Sequence, residues 1–246
     1  MKQVISAFLF SVVMVGVSYG QPITANVIGA KVGQKGLMGA EYRSGYEWDE
    51  KVDSVDGRFT DRIDLFGNVM DGVQARAFLN RVSPSEGDSE LTSLFIEPAF
   101  QLTEQSASGF DSVLLTGVAV SLQDERAHFA RIIYSLQYAP GQWRLRHNSI
   151  VSKQFGDDAS DAYTYQTRFR FTHEIVENVF AGGEFFGQVA EISDPQALSD
   201  EFMRGGLVVE GKITDTVGFQ TGLLRGLSDV APDWAGKLWL NIAMAP

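Results

Sequence analysis

From Gly36 almost to the last residue, apolar side chains return at every second position rather than every third or fourth, the spacing that gives a strand one apolar face. Twelve segments carry this period: 36–48, 58–67, 73–82, 92–103, 112–122, 128–138, 143–154, 163–174, 179–189, 206–213, 217–226 and 237–245. Most exceed the 5–6 residues usual for a soluble strand and approach the roughly 9–11 that a tilted membrane-spanning strand needs. The only weak helical stretch is 196–203. An all-β fold is the expectation.

The connections alternate in length. Those at 68–72, 104–111, 139–142, 175–178 and 214–216 are short; those at 49–57, 83–91, 155–162, 191–205 and 227–236 are longer and polar, and only 123–127 breaks the pattern. Tight turns at one end and longer loops at the other predict a twelve-stranded, antiparallel, up-and-down transmembrane β-barrel, with periplasmic turns and external loops. Ahead of the barrel (36–246), residues 1–20 read as a secretory signal, with Lys2, an apolar core and small residues before a cut after Gly20. Residues 21–35 are left as a periplasmic lead, a plug in the lumen or an added strand.

The hairpin around Ala139-Pro140-Gly141-Gln142 sets the faces. A two-residue Pro-Gly turn would pair Tyr138 with Trp143 and Tyr134 with His147. The outward set is then Ala130, Ile132, Tyr134, Leu136 and Tyr138 with Trp143, Leu145, His147, Ser149 and Val151. The inward set is Arg131, Ser135 and Gln137 with Arg144, Arg146, Asn148, Ser152 and Gln154. Alternation alone also fits a soluble periplasmic β-barrel that binds a ligand in its core. Strand length favours the membrane, and so do the aromatic residues at strand ends. Trp48, Phe59 and Tyr163 fall beside long loops, and Tyr138, Trp143 and Phe171 beside short turns, as two girdles would require.

Charge is divided along the same lines. The formal net charge of -11 argues against nucleic acid as a partner, and the absence of Cys removes disulfides and thiolate metal sites. Yet alternation turns nine bases and six acids inward: Arg43, Arg62, Arg76, Arg131, Arg144, Arg146, Arg168, Arg170 and Lys212 against Glu41, Glu47, Asp64, Glu97, Glu184 and Glu210. The balancing acids lie in the loops, so the mouth is acidic and the interior mildly basic. A short turn after Ile175 sets Arg170 opposite Glu184. Either these arginines neutralise Glu184, Glu97 and Glu210 across a wet lumen, or Arg131, Arg144, Arg146, Arg168 and Arg170 form a ladder that attracts anions. Inward Phe78, Phe95, Phe180, Phe186 and Trp239 exclude a wide pore.

Catalytic chemistry has one candidate. His147 and Ser149 lie two apart on the lipid side, an arrangement similar to the His-x-Ser pair of outer-membrane lipid hydrolases, in which His would deprotonate Ser. Ile150 and Val151 follow where those families carry Asn and often Gly, so no catalytic role is expected. His128 and His173 are far apart, and neither metal nor cofactor is implied. Outward Arg81 and Lys153, near the long-loop ends, suit contact with lipopolysaccharide phosphates among the outer-membrane lipids.

Near the C-terminal end, Gly226-Leu227-Ser228-Asp229 and Ala231-Pro232-Asp233-Trp234 occupy one hairpin. That hairpin resembles the closing hairpin of outer-membrane transporters of the phenol-degradation type. The resemblance implies an outer-membrane channel-like protein and leaves its solute open. The function expected is a narrow channel or transporter for small hydrophilic solutes in the bacterial outer membrane, anionic ones if the arginines form a ladder.

Overall fold

The computed structural model describes residues 23–244 except 50–55, 104–108, 125, 190, 194, 196 and 198, so the leader expected at 1–20 lies outside the described residues. Thirteen strand segments follow one another: β1 (Met38–Trp48), β2 (Phe59–Met70), β3 (Val73–Ser83), β4 (Glu90–Ile96), β5 (Ala99–Thr103), β6 (Phe110–Ser121), β7 (His128–Tyr138), β8 (Trp143–Phe155), β9 (Tyr163–Val176), β10 (Val179–Val189), β11 (Phe202–Lys212), β12 (Val217–Gly226) and β13 (Trp234–Met244). Each pairs antiparallel with its neighbours, and β1 pairs with both β2 and β13, which closes the sheet into a barrel.

Twelve staves come from thirteen segments because one stave is interrupted. Pro98 has no N–H to give to the ladder, so β4 stops at Ile96 and β5 starts at Ala99. The register does not slip: Ile96 faces Val118 and Ala99 faces Leu115 on β6. Glu97 still exchanges backbone hydrogen bonds with Arg76, and the Thr116 N–H reaches the Pro98 carbonyl at 3.1 Å.

Two local expectations are corrected. The 139–142 turn does not pair Tyr138 with Trp143: Tyr138 faces Leu145, and Tyr134 faces Ser149. Trp143 N–H turns back to the Pro140 carbonyl while Ala139 N–H bonds Gly109 of the adjacent connection, so two residues of β8 extend beyond the pairing with β7. The offset is even, so every side chain keeps its face. The weak helical stretch is not a helix among its described residues, and its end, Phe202, begins β11.

The outer wall is apolar. Ile63 and Leu65 on β2, Ile132 on β7, Leu207 on β11 and Leu238 on β13 are all exposed, a continuous belt that a water-soluble protein would not present. No described helix is long and apolar enough to cross a membrane, so any crossing is made by strands. Inside, the core is mixed. Buried Val113, Leu115, Ile133 and Ile150 make an apolar patch, while Arg43, Asp64, Glu97, Arg168, Arg170, Glu184 and Arg204 are also buried.

Candidate functional site: the barrel interior

Residues 23–35 form no strand, yet Ile23, Thr24, Ala25, Val27 and Ala30 are buried. They run along the inner wall. Ile23 sits in the notch left by Gly45, near the long-loop end of β1, and packs with Phe186, Leu224 and Ala235. Ala30, Ile28 and Val32 pack on the apolar patch of β6 to β8. At the short-turn end, Lys35 N–H reaches Asp71 and Asn68 donates to the Gln34 carbonyl.

The wall holds this segment with side chains. Asn148 accepts from Ile28 N–H at 2.6 Å and donates to its carbonyl at 3.0 Å, copying the two bonds a neighbouring strand would make. Ser135 donates to the same carbonyl, Gln101 accepts from Val32 N–H and donates to the Ala30 carbonyl, and Arg168 donates to the Asn26 carbonyl. Backbone groups inside a barrel need partners, and inward polar residues from β1, β5, β7, β8 and β9 supply them.

Around the segment the charges form acid-centred groups. Near the long-loop end, Glu47 pairs with Arg58 at 2.7 Å and Arg204 at 3.3 Å. On β1 to β7, Asp64 takes Arg62, Arg76 and Arg43, and Glu97 takes Arg131 at 2.6 Å. Gly117 faces Glu97 and leaves room for its carboxylate. Arg62 lies over the Phe78 ring at 3.3 Å, and Arg131 over Phe95 at 4.6 Å. On β8 to β13, Glu184 pairs with Arg170 and Lys237, while Glu210 takes Arg170 at 2.8 Å and Arg146 at 2.9 Å. Burying such pairs adds little net stability, because desolvation offsets their attraction, but removing one partner strands a buried charge.

Every base in the expected ladder therefore has a stated place. Arg131 is tied to Glu97, Arg146 and Arg170 share Glu210, and Arg168 binds Gln166 and the lumen segment. Arg144 is the loosest: it lies over the Phe180 ring at 3.4 Å and only 3.8 Å from Glu210. Lys212 is exposed at the short-turn end and has no ion-pair partner among the described residues. Arg170 does face Glu184, through a two-residue turn at 177–178 with a register shift at Val179/Phe180. Arg204 and Lys237 lie outside the expected inward set: Arg204 falls in the connection read as 191–205, and Lys237 opens the segment 237–245 on the same face as inward Trp239. Apolar alternation from Phe202 and Trp234 was the signal that could have found them.

At the short-turn end a cavity of about 290 Å3 opens between the wall and the segment, lined among others by Arg144, Arg146, Arg170, Glu210, Lys212 and Trp239. The outer-face pair His147 and Ser149 is not assembled for catalysis. The His147 ring bonds Thr167 at 3.0 Å and Ser149 bonds the Tyr165 hydroxyl at 3.3 Å, each turned to β9 rather than to the other.

No protein-family model matches the sequence, and no curated protein does. Solved structures do match. An outer-membrane channel from Pseudomonas putida F1 superposes with a TM-score of 0.62 at 11% identity, over 87% of this chain and 97% of that one. The KdgM porin gives 0.56 at 8% identity, over 83% and 98%, and the NanC porin 0.57 at 9%, over 82% and 98%. Together with the apolar outer belt and the closed sheet, they show that this chain has the fold of a bacterial outer-membrane β-barrel.

Proposed function

We propose that the chain is a narrow outer-membrane channel for small hydrophilic, anionic solutes, closed at rest by residues 23–35. The observation that carries this reading is the run of basic side chains down the interior, from Arg204 through Arg168 and Arg170 to Arg146, Arg144 and Lys212. Rings and tracks of Arg or Lys set anion preference in pores. The segment is held by side-chain hydrogen bonds and small apolar contacts rather than by a sheet ladder, which suits an obstruction that can be displaced. The KdgM porin has also been solved in complex with disordered oligogalacturonate, which supports a hydrophilic solute for a barrel of this shape. The closing hairpin's likeness to phenol-degradation transporters supports an outer-membrane channel without naming a solute.

The outer surface fits the same reading. Trp48, Phe59 and Tyr163 would form the external girdle, and Tyr138, Trp143 and Phe171 the periplasmic one. Lys153, with its ammonium 5.0 Å from the Tyr163 ring, and Arg81, paired with Asp61, would meet lipopolysaccharide phosphates at the external interface.

Planar-bilayer recording of the refolded barrel in a salt gradient tests the proposal. Discrete steps with anion preference that declines in Arg144→Ala/Arg168→Ala are expected. Stable insertion without any conductance, including after deletion of 23–33, would sink it.

A further inference from the structure

Among the described strand residues, those that face outward and carry Lys or Arg are Arg81 on β3, Lys153 on β8 and Arg225 on β12. Each lies within two residues of the long-loop end of its strand, so the cations of the outer face are gathered at one membrane surface. Arg81 is paired with Asp61 at 2.6 Å, and Arg225 lies over the Trp234 ring at 5.6 Å. Lys153 has no acidic partner among the described residues, and its ammonium is 5.0 Å from the centre of the Tyr163 ring.

Of the three, Lys153 alone borders a hollow, a depression of about 690 Å3 in the outer wall. One row of the sheet crosses it: Ile96 faces Val118, Val118 faces Ala130, Ala130 faces Lys153, and Lys153 faces Tyr163. Ala130 has the smallest side chain of that row, and the Lys153 ammonium is carried away from it, over Tyr163 on the far strand. On the other flank Pro98 interrupts the stave between β4 and β5, while Ile132 and Val151 continue the floor toward mid-barrel. The hollow is therefore apolar along its length and cationic at its external end.

We propose that this hollow seats one acyl chain of lipopolysaccharide, with a lipid A phosphate held by Lys153. The inference deepens the lipopolysaccharide contact proposed above and does not depend on conduction through the lumen. An unfilled hollow forfeits dispersion contacts for every atom that lines it, so a lipid chain fills it. The chain gains no hydrophobic free energy there, because bilayer tails are as apolar as the wall. Choice between lipids then falls to the charge at the rim, where basic side chains attract anionic head groups and amphipathic aromatic rings such as Tyr163 settle. Lipopolysaccharide fits because it brings phosphate to the external leaflet, the only side on which the outer face offers cations.

Native mass spectrometry of the full refolded barrel in detergent tests the seat, with bisphosphoryl lipid A, dephosphorylated lipid A and phosphatidylglycerol as probes. One copy of bisphosphoryl lipid A is expected to bind at least about fivefold more tightly than either of the others. Lys153→Gln should weaken that first copy by about fivefold, and Ala130→Phe, which fills the floor, should weaken it by a similar factor. Arg225→Gln, outside the hollow, should leave it in place. Both informative substitutions lie on the exposed outer face, so either carries the test if the other does not fold. Equal binding of dephosphorylated lipid A or of phosphatidylglycerol would overturn the proposal, as would an Ala130→Phe barrel that binds lipid A unchanged. A barrel that conducts but retains no lipid A would overturn the seat and leave the channel. Retention of lipid A by a barrel that never conducts would support the seat and sink the channel.

Discussion

Asn148→Leu is the most direct perturbation of the lumen segment. Asn148 is fully buried and clamps both backbone groups of Ile28, while Ser135 gives the Ile28 carbonyl a second donor. The substitution keeps a side chain of similar size, leaves the carbonyl satisfied through Ser135, and removes the acceptor from Ile28 N–H. Burying that N–H without a partner costs about 1–3 kcal/mol, and the released segment escapes that cost by meeting water. The equilibrium between seated and released segment should therefore move by roughly 5- to 150-fold. The sequence contains no Cys, so Val27→Cys installs a single thiol at a position that is fully buried while the segment is seated. The rate at which a water-soluble maleimide labels that thiol then reports the released fraction. Labelling should accelerate by that factor in Val27→Cys/Asn148→Leu, with open-channel events rising in parallel, whereas Asn148→Asp, which keeps an acceptor for Ile28 N–H, should fall between. A labelling rate unchanged by Asn148→Leu would falsify the idea that this clamp seats the segment.

Other perturbations have equally definite outcomes. A Cβ added at Gly45 would lie within 2.2–2.8 Å of Ile23, so Gly45→Ala should also speed labelling of Val27→Cys, and Ile23→Gly in the same chain should restore the slow rate. Arg170 is buried between Glu184 and Glu210; Arg170→Ala leaves Glu184 to Lys237 and Glu210 to Arg146, and the loss of two buried charged contacts should destabilise the barrel by about 1–3 kcal/mol, read as a lower urea midpoint for unfolding from lipid vesicles. If the midpoint holds, the ion pairs are not what fixes that wall. Leu207 is 73% exposed on the outer face midway along β11, and Leu207→Arg should cost about 2–4 kcal/mol in the same assay if that face meets hydrocarbon. A neutral result there would place the belt outside the bilayer core.

The strand pattern was legible because inner and outer faces meet different surroundings at every second residue, and that contrast survives errors of boundary. The β7–β8 pairing shows the limit. An offset of two residues leaves the alternation intact, so nothing in the apolar period distinguishes Tyr138 facing Trp143 from Tyr138 facing Leu145. The lumen segment was harder to read. Residues 23–35 satisfy their backbone with Asn148, Gln101, Ser135 and Arg168, partners up to 142 positions away, and short-range sequence carries no trace of such bonds. Its footprint was nonetheless present in the wall: Val113, Leu115, Ile133 and Ile150 break the polar inner face where the segment lies against it. Within the candidate site, the basic residues followed from parity. The row formed by Glu210, Gln220 and Trp239 did not, because it depends on the register of two hairpins.

The seam between β1 and β13 joins the first strand to the last, so the cylinder can be sealed only after the whole chain has been delivered. The segment continuous with β1 is thereby tethered to the seam and reaches the lumen from the short-turn end, so it can leave and return without any strand unpairing. The strand that seals the cylinder is therefore also the leash of the segment that fills it, and the length of that leash, not the stability of the wall, sets how far the segment can travel.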